Sequence, residues 1–148
     1  MPLDHFCLIV SEDKLEKIVS WLIQSNSIFN FQEITRPAPH VVGLGEEKNR
    51  AYFWIWSDPS TQASEYQLKE WRKQHIAFAA ESVEQVHAWY ESALKAGGED
   101  NGRPGPRPEY HAGYYGAFVR DPVLGINFEA VYREPSRRNI WATESTTA

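Results

Sequence analysis

The feature that most constrains this chain is that one pattern of elements runs through it twice. Leu3 to Val10 is an apolar run of strand length. Ser11 then stands where a helix cap belongs. Leu15, Ile18, Val19 and Leu22 follow at helical spacing, which predicts a helix over residues 12–25. Three short strands are predicted next, over 31–35, 41–45 and 51–56, punctuated by Pro37, Pro39 and the polar turn at 46–49. A polar stretch containing Pro59 intervenes, and the pattern restarts. His75 to Ala80 is a strand, and Ser82 with Gln85 forms a capping-box pair. Val83, Val86, Tyr90, Ala93 and Leu94 repeat at helical spacing until Gly97-Gly98 stops them. The Pro/Gly-rich 102–108 segment reads as a loop. Strands at 114–120 and 127–132 flank a turn at 121–125. The expected fold is therefore α+β, with two βαβββ repeats forming a cup-shaped mixed sheet. One domain covers 1–148, with repeat one at 1–57, a linker at 58–72, repeat two at 73–134 and a polar C-terminal tail at 135–148.

Each repeat opens on a histidine, His5-Phe6 and His75-Ile76. Side chains alternate across a strand. If Phe6, Leu8 and Val10 face the first helix, then His5, Cys7 and Ile9 face away from it. By the same count His75, Ala77 and Ala79 face away from the second helix. Two units related by a pseudo-two-fold axis would bring both histidines onto one concave surface. Glu129 lies mid-strand between Phe128 and Ala130, on one face with Asn127 and Val131. A carboxylate there needs a partner, and a metal would satisfy it.

The segment from Gly113 to Val131, with Asp121-Pro122-Val123-Leu124-Gly125 at its turn, resembles the closing hairpin of the vicinal oxygen chelate superfamily. That superfamily includes glyoxalase I, fosfomycin- and bleomycin-resistance proteins and extradiol dioxygenases. The resemblance covers nearly the whole chain as a pattern of elements. It implies one divalent metal ion held by His5, His75 and Glu129, with Fe, Mn, Ni, Co and Zn all compatible. Two departures stand out. The strand at 51–56 has Phe53 or Trp54 where a four-ligand glyoxalase has a carboxylate, and the hairpin turn carries one extra residue. Three ligands leave coordination positions open for substrate, water or oxygen.

Other residues have competing readings. His111 precedes the hairpin and reads either as an acid/base group or as a solvated loop histidine. Tyr115 reads as a donor to a metal-bound oxygen or as a packed strand aromatic. Tyr114 and Tyr115 point to opposite faces, so only one reaches the pocket. Cys7, Phe53, Trp54 and Arg120 are the candidates for substrate contact, although Cys7 also suits a core and Arg120 a solvated strand end. The function implied is a metal-dependent lyase or isomerase acting on a small oxygen-bearing molecule through a chelated enolate-like species. An Fe(II) extradiol-type dioxygenase is the alternative. Its family tyrosine falls where this chain has Phe118. A non-catalytic binding or resistance protein is the third reading.

Composition narrows the partners. The net charge of -5 disfavours nucleic acid and anionic membranes. Aromatic residues make up 14% of the 148 positions, which suits either a packed core or an aromatic-walled pocket. One cysteine permits no intrachain disulfide, and no apolar run reaches membrane-spanning length. The expectation is a cytoplasmic homodimer acting on a small-molecule substrate.

Overall fold

In the computed structural model, residues 3–135 are described; most of the tail expected at 135–148 lies outside them. The first repeat contains β1 (Phe6–Val10), α1 (Leu15–Ser25), β2 (Gln32–Ala38), β3 (Val41–Gly45) and β4 (Phe53–Ser57). The second contains β5 (His75–Ala80), α3 (Val83–Lys95), β6 (Glu99–Pro106), β7 (Tyr114–Arg120) and β8 (Asn127–Arg133), and α2 (Glu65–Arg72) joins the two. The strands form two four-stranded mixed sheets of matching order, β1-β4-β3-β2 and β5-β8-β7-β6. In each, the opening strand pairs in parallel with the last strand of its own repeat. Among the described residues no helix is long and apolar enough to cross a membrane.

Three local expectations need correction. The polar stretch read as a linker holds α2. Ser64 caps it by accepting from the Gln67 amide at 3.2 Å, and Pro59 lies outside it. Buried Trp71 anchors it by donating Nε1–H to the Ile9 carbonyl at 3.4 Å. A single anchoring aromatic leaves no helical periodicity to read. The segment read as a loop from Gly102 is largely β6. As an edge strand bonded only to β7, with register shifts around Gly102, β6 tolerates its glycines and prolines. Ser11 does not cap α1, because a 3-10 turn at Glu12–Lys14 intervenes. Ser82 does cap α3, accepting from the Gln85 amide at 3.1 Å. The extra residue in the hairpin turn is absorbed by Asp121. Its carboxylate accepts from the amides of Val123, Leu124 and Ile126 at 2.6–2.8 Å.

The repeats meet through their helix-facing sides. α1 packs on α3, Trp21 of α1 lies 5.2 Å from Phe128 of β8, and Phe53 of β4 stacks on Phe78 of β5 at 6.0 Å. One polar bond locks this seam. Buried Asn26, at the end of α1, accepts from Trp89 Nε1–H of α3 at 3.0 Å and donates to the Leu22 carbonyl at 2.9 Å. The face of the first sheet turned away from its helix is partly exposed, whereas that of the second buries Glu129, Tyr114 and Phe118. On the first sheet Ile9 is 49% and Trp56 47% exposed.

Candidate functional site

The parallel register of β5 on β8 sets Ala77 against Glu129 and His75 against Asn127. Phe128 and Ala130 are fully buried on the helix side, and alternation turns Glu129 to the other face. Glu129 is nevertheless only 2% exposed. Two groups satisfy it: the Tyr114 hydroxyl donates to Oε1 at 2.5 Å, and His75 Nε2 lies 2.9 Å from Oε2. Asn127 Nδ2 lies 3.0 Å from His75 Nδ1, and Asn101 donates to Asn127 Oδ1 at 3.0 Å. This chain fixes the imidazole plane. If Asn127 donates to Nδ1, the ring proton sits on Nε2 and is shared with the carboxylate.

The electrostatics follow from these contacts. The bond to Glu129 raises the His75 imidazole above its ordinary range, against the opposing effect of partial burial. Burial, then the same carboxylate, push the Tyr114 phenol well up, so Tyr114 is a neutral donor at neutral pH. Gly116 makes room for the arrangement. A Cβ there would stand 2.7 Å from Glu129 Oε1 and 3.3 Å from the Tyr114 ring. Phe118, paired with Glu129 across the hairpin, puts its ring 6.0 Å from that of His75.

His5 stands apart from this pair. It precedes β1, and its Nδ1 lies 2.6 Å from Asp4 Oδ1. Among the described residues no three His, Cys, Asp or Glu side chains are set to hold a metal. Within one chain the structure brings His75 and Glu129 together and leaves His5 outside that pair. The physical reason is that the repeats join through their helix sides, so the outward faces of the two sheets do not close on one another. His5 and His75 do share the rim of one open cavity of about 490 Å³, with Phe53 in its wall.

The remaining candidates fall as follows. Tyr115 points to the helix side, where its hydroxyl lies 2.8 Å from His87 Nε2; Tyr114 takes the place expected of it. Arg120 is a structural clamp. Its Nη1 donates to the carbonyls of Arg72 and Gly125, at 3.1 and 2.8 Å. His111 sits before β7 with its ring 5.2 Å from that of Tyr114, and its Nδ1 lies 2.8 Å from the Ala112 carbonyl. Phe53 is a core residue that also lines the cavity. Cys7 and Trp54 are paired across β1 and β4 on the open face, outside that cavity. Partial burial pushes the Cys7 thiol up.

Tyr114, Gly116 and Asn127 complete the surroundings of Glu129, although the sequence reading gave a role to Tyr115 and none to these three. Their signal was available: Tyr114, Gly116 and Phe118 share one strand face, and Asn127 shares that of Glu129.

Duplicated repeats, parallel pairing of first and last strands, and the His–Glu pair on β5 and β8 define a known architecture. A family model of the Glyoxalase/Bleomycin resistance protein/Dioxygenase superfamily matches residues 3–130. The chain belongs to that superfamily. Solved structures agree on the fold. A glyoxalase/bleomycin resistance protein from Albidiferax ferrireducens is similar at 21% identity and TM-score 0.68, covering 88% of this chain and 98% of its own. A family enzyme from Burkholderia phytofirmans matches at 18% identity and TM-score 0.64, covering 90% and 100%. A domain from Frankia sp. matches at 16% and 0.65, covering 91% and 93%. No functionally curated protein matches the chain.

Proposed function

We propose that this superfamily member is a metal-dependent lyase or isomerase for a small oxygen-bearing substrate. The observation that carries the reading is the convergence of His75 Nε2 and a nearly buried Glu129 carboxylate at 2.9 Å. An imidazole nitrogen and a carboxylate oxygen are compatible with Fe, Mn, Ni, Co or Zn and do not choose among them. A bound divalent ion would polarise neighbouring substrate oxygens. The chain's own residues do the rest. Tyr114 holds Glu129 Oε1, leaving Oε2 directed at His75. With an ion on Nε2 the ring proton would sit on Nδ1, and Asn127, 3.0 Å away, would turn its side-chain oxygen to accept it, the kind of supporting contact that fixes a ligating histidine. His111, whose ring lies 5.2 Å from that of Tyr114, would in this reading carry a proton at the edge of the site.

The third donor, His5, comes in this reading from a second copy of the chain in a homodimer. The open, partly apolar face bearing Ile9 and Trp56 supports such pairing. A second reading, a binding or resistance protein without catalysis, is favoured by the capture of His5 by Asp4. The dioxygenase alternative lacks a donor at Phe118. Metal analysis and calorimetric titration with Zn(II), Mn(II) and Fe(II) separate these readings. Metal uptake should fall in His75→Ala and Glu129→Ala, and in His5→Ala if the dimer completes the site. Unchanged uptake in all three would overturn the assignment.

A further inference from the structure

The cavity of about 490 Å³ between the repeats continues into a second of about 500 Å³, and the two share Glu46, Tyr52, Ala77 and Phe78. Together they form a trough along β5, from His75 to Ala79. Its walls are aromatic: Phe6, Phe29, Tyr52, Phe53 and Phe78. These rings brace one another. Phe6 meets Phe53 edge-on at 5.2 Å, Phe53 stacks on Phe78 at 6.0 Å, and Phe29 stacks on Phe78 at 6.4 Å. A wall of interlocked rings is rigid and needs little ordering when a ligand arrives.

The rim is acidic. Asp4, Glu46, Glu47 and Glu81 line the trough against one guanidinium, Arg50. Asp4 is engaged by His5, and Glu46 receives the Tyr52 hydroxyl. Burial and that contact keep the Tyr52 phenol neutral. Aromatic faces attract cations through the ring quadrupole, and surplus carboxylates add to the attraction. An anion would meet the negative rim and the negative faces of the rings.

We propose that this trough is a binding site for an organic cation, a flat or alkyl body carrying a charged nitrogen. It does not depend on the metal reading: His5 and His75 stand on its rim, but Glu129 does not line it. The body lies against the half-buried rings of Phe6, Phe29 and Tyr52, with Phe53 and Phe78 backing them, and the charged nitrogen lies toward Glu46 and Glu47.

The test compares three probes of one size: N-methylquinolinium, uncharged quinoline and anionic naphthoate. Binding is measured by calorimetry and by amide shifts in NMR, at low and high salt. The quinolinium should bind roughly tenfold more tightly than quinoline, given a cation–π contribution of about 1–2 kcal/mol. Naphthoate should bind most weakly. Amide shifts should centre on Tyr52, Ala77 and Phe78. Glu46 and Glu47 are exposed, so the Glu46→Gln/Glu47→Gln protein should fold normally. It should lose roughly tenfold of the quinolinium affinity, and added salt should shrink that difference. Arg50→Gln should tighten binding. Glu129→Ala, which removes the metal pair, should leave quinolinium binding intact. Equal or tighter binding of quinoline or naphthoate would overturn the proposal. So would shifts mapping elsewhere, or no loss in the double variant.

Discussion

Deleting one oxygen atom separates the two adjacent tyrosines of β7. Tyr114→Phe removes the hydroxyl that donates to Glu129 Oε1 at 2.5 Å, inside a site where Glu129 is 2% exposed. A hydrogen bond to a carboxylate is worth about 1.5–3 kcal/mol, and a buried acceptor that loses its donor pays the upper part of that range. Glu129 would retain only His75. For a chain of 148 residues, a loss of that size lowers Tm by roughly 3–12 °C. Tyr115→Phe is the internal control. It removes the same atom, but its partner is His87 on a solvent-accessible helix side, and the cost should stay within about 0.5 kcal/mol. Urea unfolding followed by far-UV circular dichroism measures both. Metal titration supplies a second readout, because losing a supporting contact to a ligand typically weakens affinity about 10–100-fold. Two results would refute the reasoning: Tyr114→Phe within 0.5 kcal/mol of wild type as a rough bound, or Tyr115→Phe matching it.

Three further outcomes are expected. Gly116→Ala pushes a methyl group to 2.7 Å from Glu129 Oε1, so it should destabilise by about 1–3 kcal/mol and depress metal uptake; normal uptake would mean that the carboxylate moves freely. Asn26→Ala strands the buried Trp89 N–H and should cost about 2–4 kcal/mol, read as a shift in the urea midpoint. The two capping serines should differ in equilibrium unfolding. Ser82→Ala should lose about 1 kcal/mol, while Ser11→Ala, where no capping bond exists, should lose none through capping.

Much of the architecture was legible because strand and helix periods are local properties. The β5 to α3 passage could be read from His75 to Gly97, with its cap at Ser82, since every signal lay within a few residues. The helix α2 could not, because its one decisive contact, Trp71 to Ile9, spans 62 positions. The site divided in the same way. Glu129 and His75 follow from alternation and from the parallel register of β5 on β8. That Tyr114 and not Tyr115 meets Glu129 depends on which face the hairpin turns to it, and period-two counting alone shows only that one of them can reach the pocket. His5 depended on how two repeats dock. That is set by Asn26, Trp89 and the packed rings at the seam, and no local pattern announces it.

The Trp71 contact has a consequence for how the molecule stays apart from its neighbours. Among the described residues β1 is an outer strand, hydrogen-bonded to β4 on one side only. Its unpaired backbone groups, beside an Ile9 that is 49% exposed, offer a template on which a strand from another molecule can assemble. The indole of Trp71 fills that place with a side-chain donor that cannot propagate a ladder. The helix between the repeats thus also works as a guard rail, closing an edge on which another strand could otherwise grow.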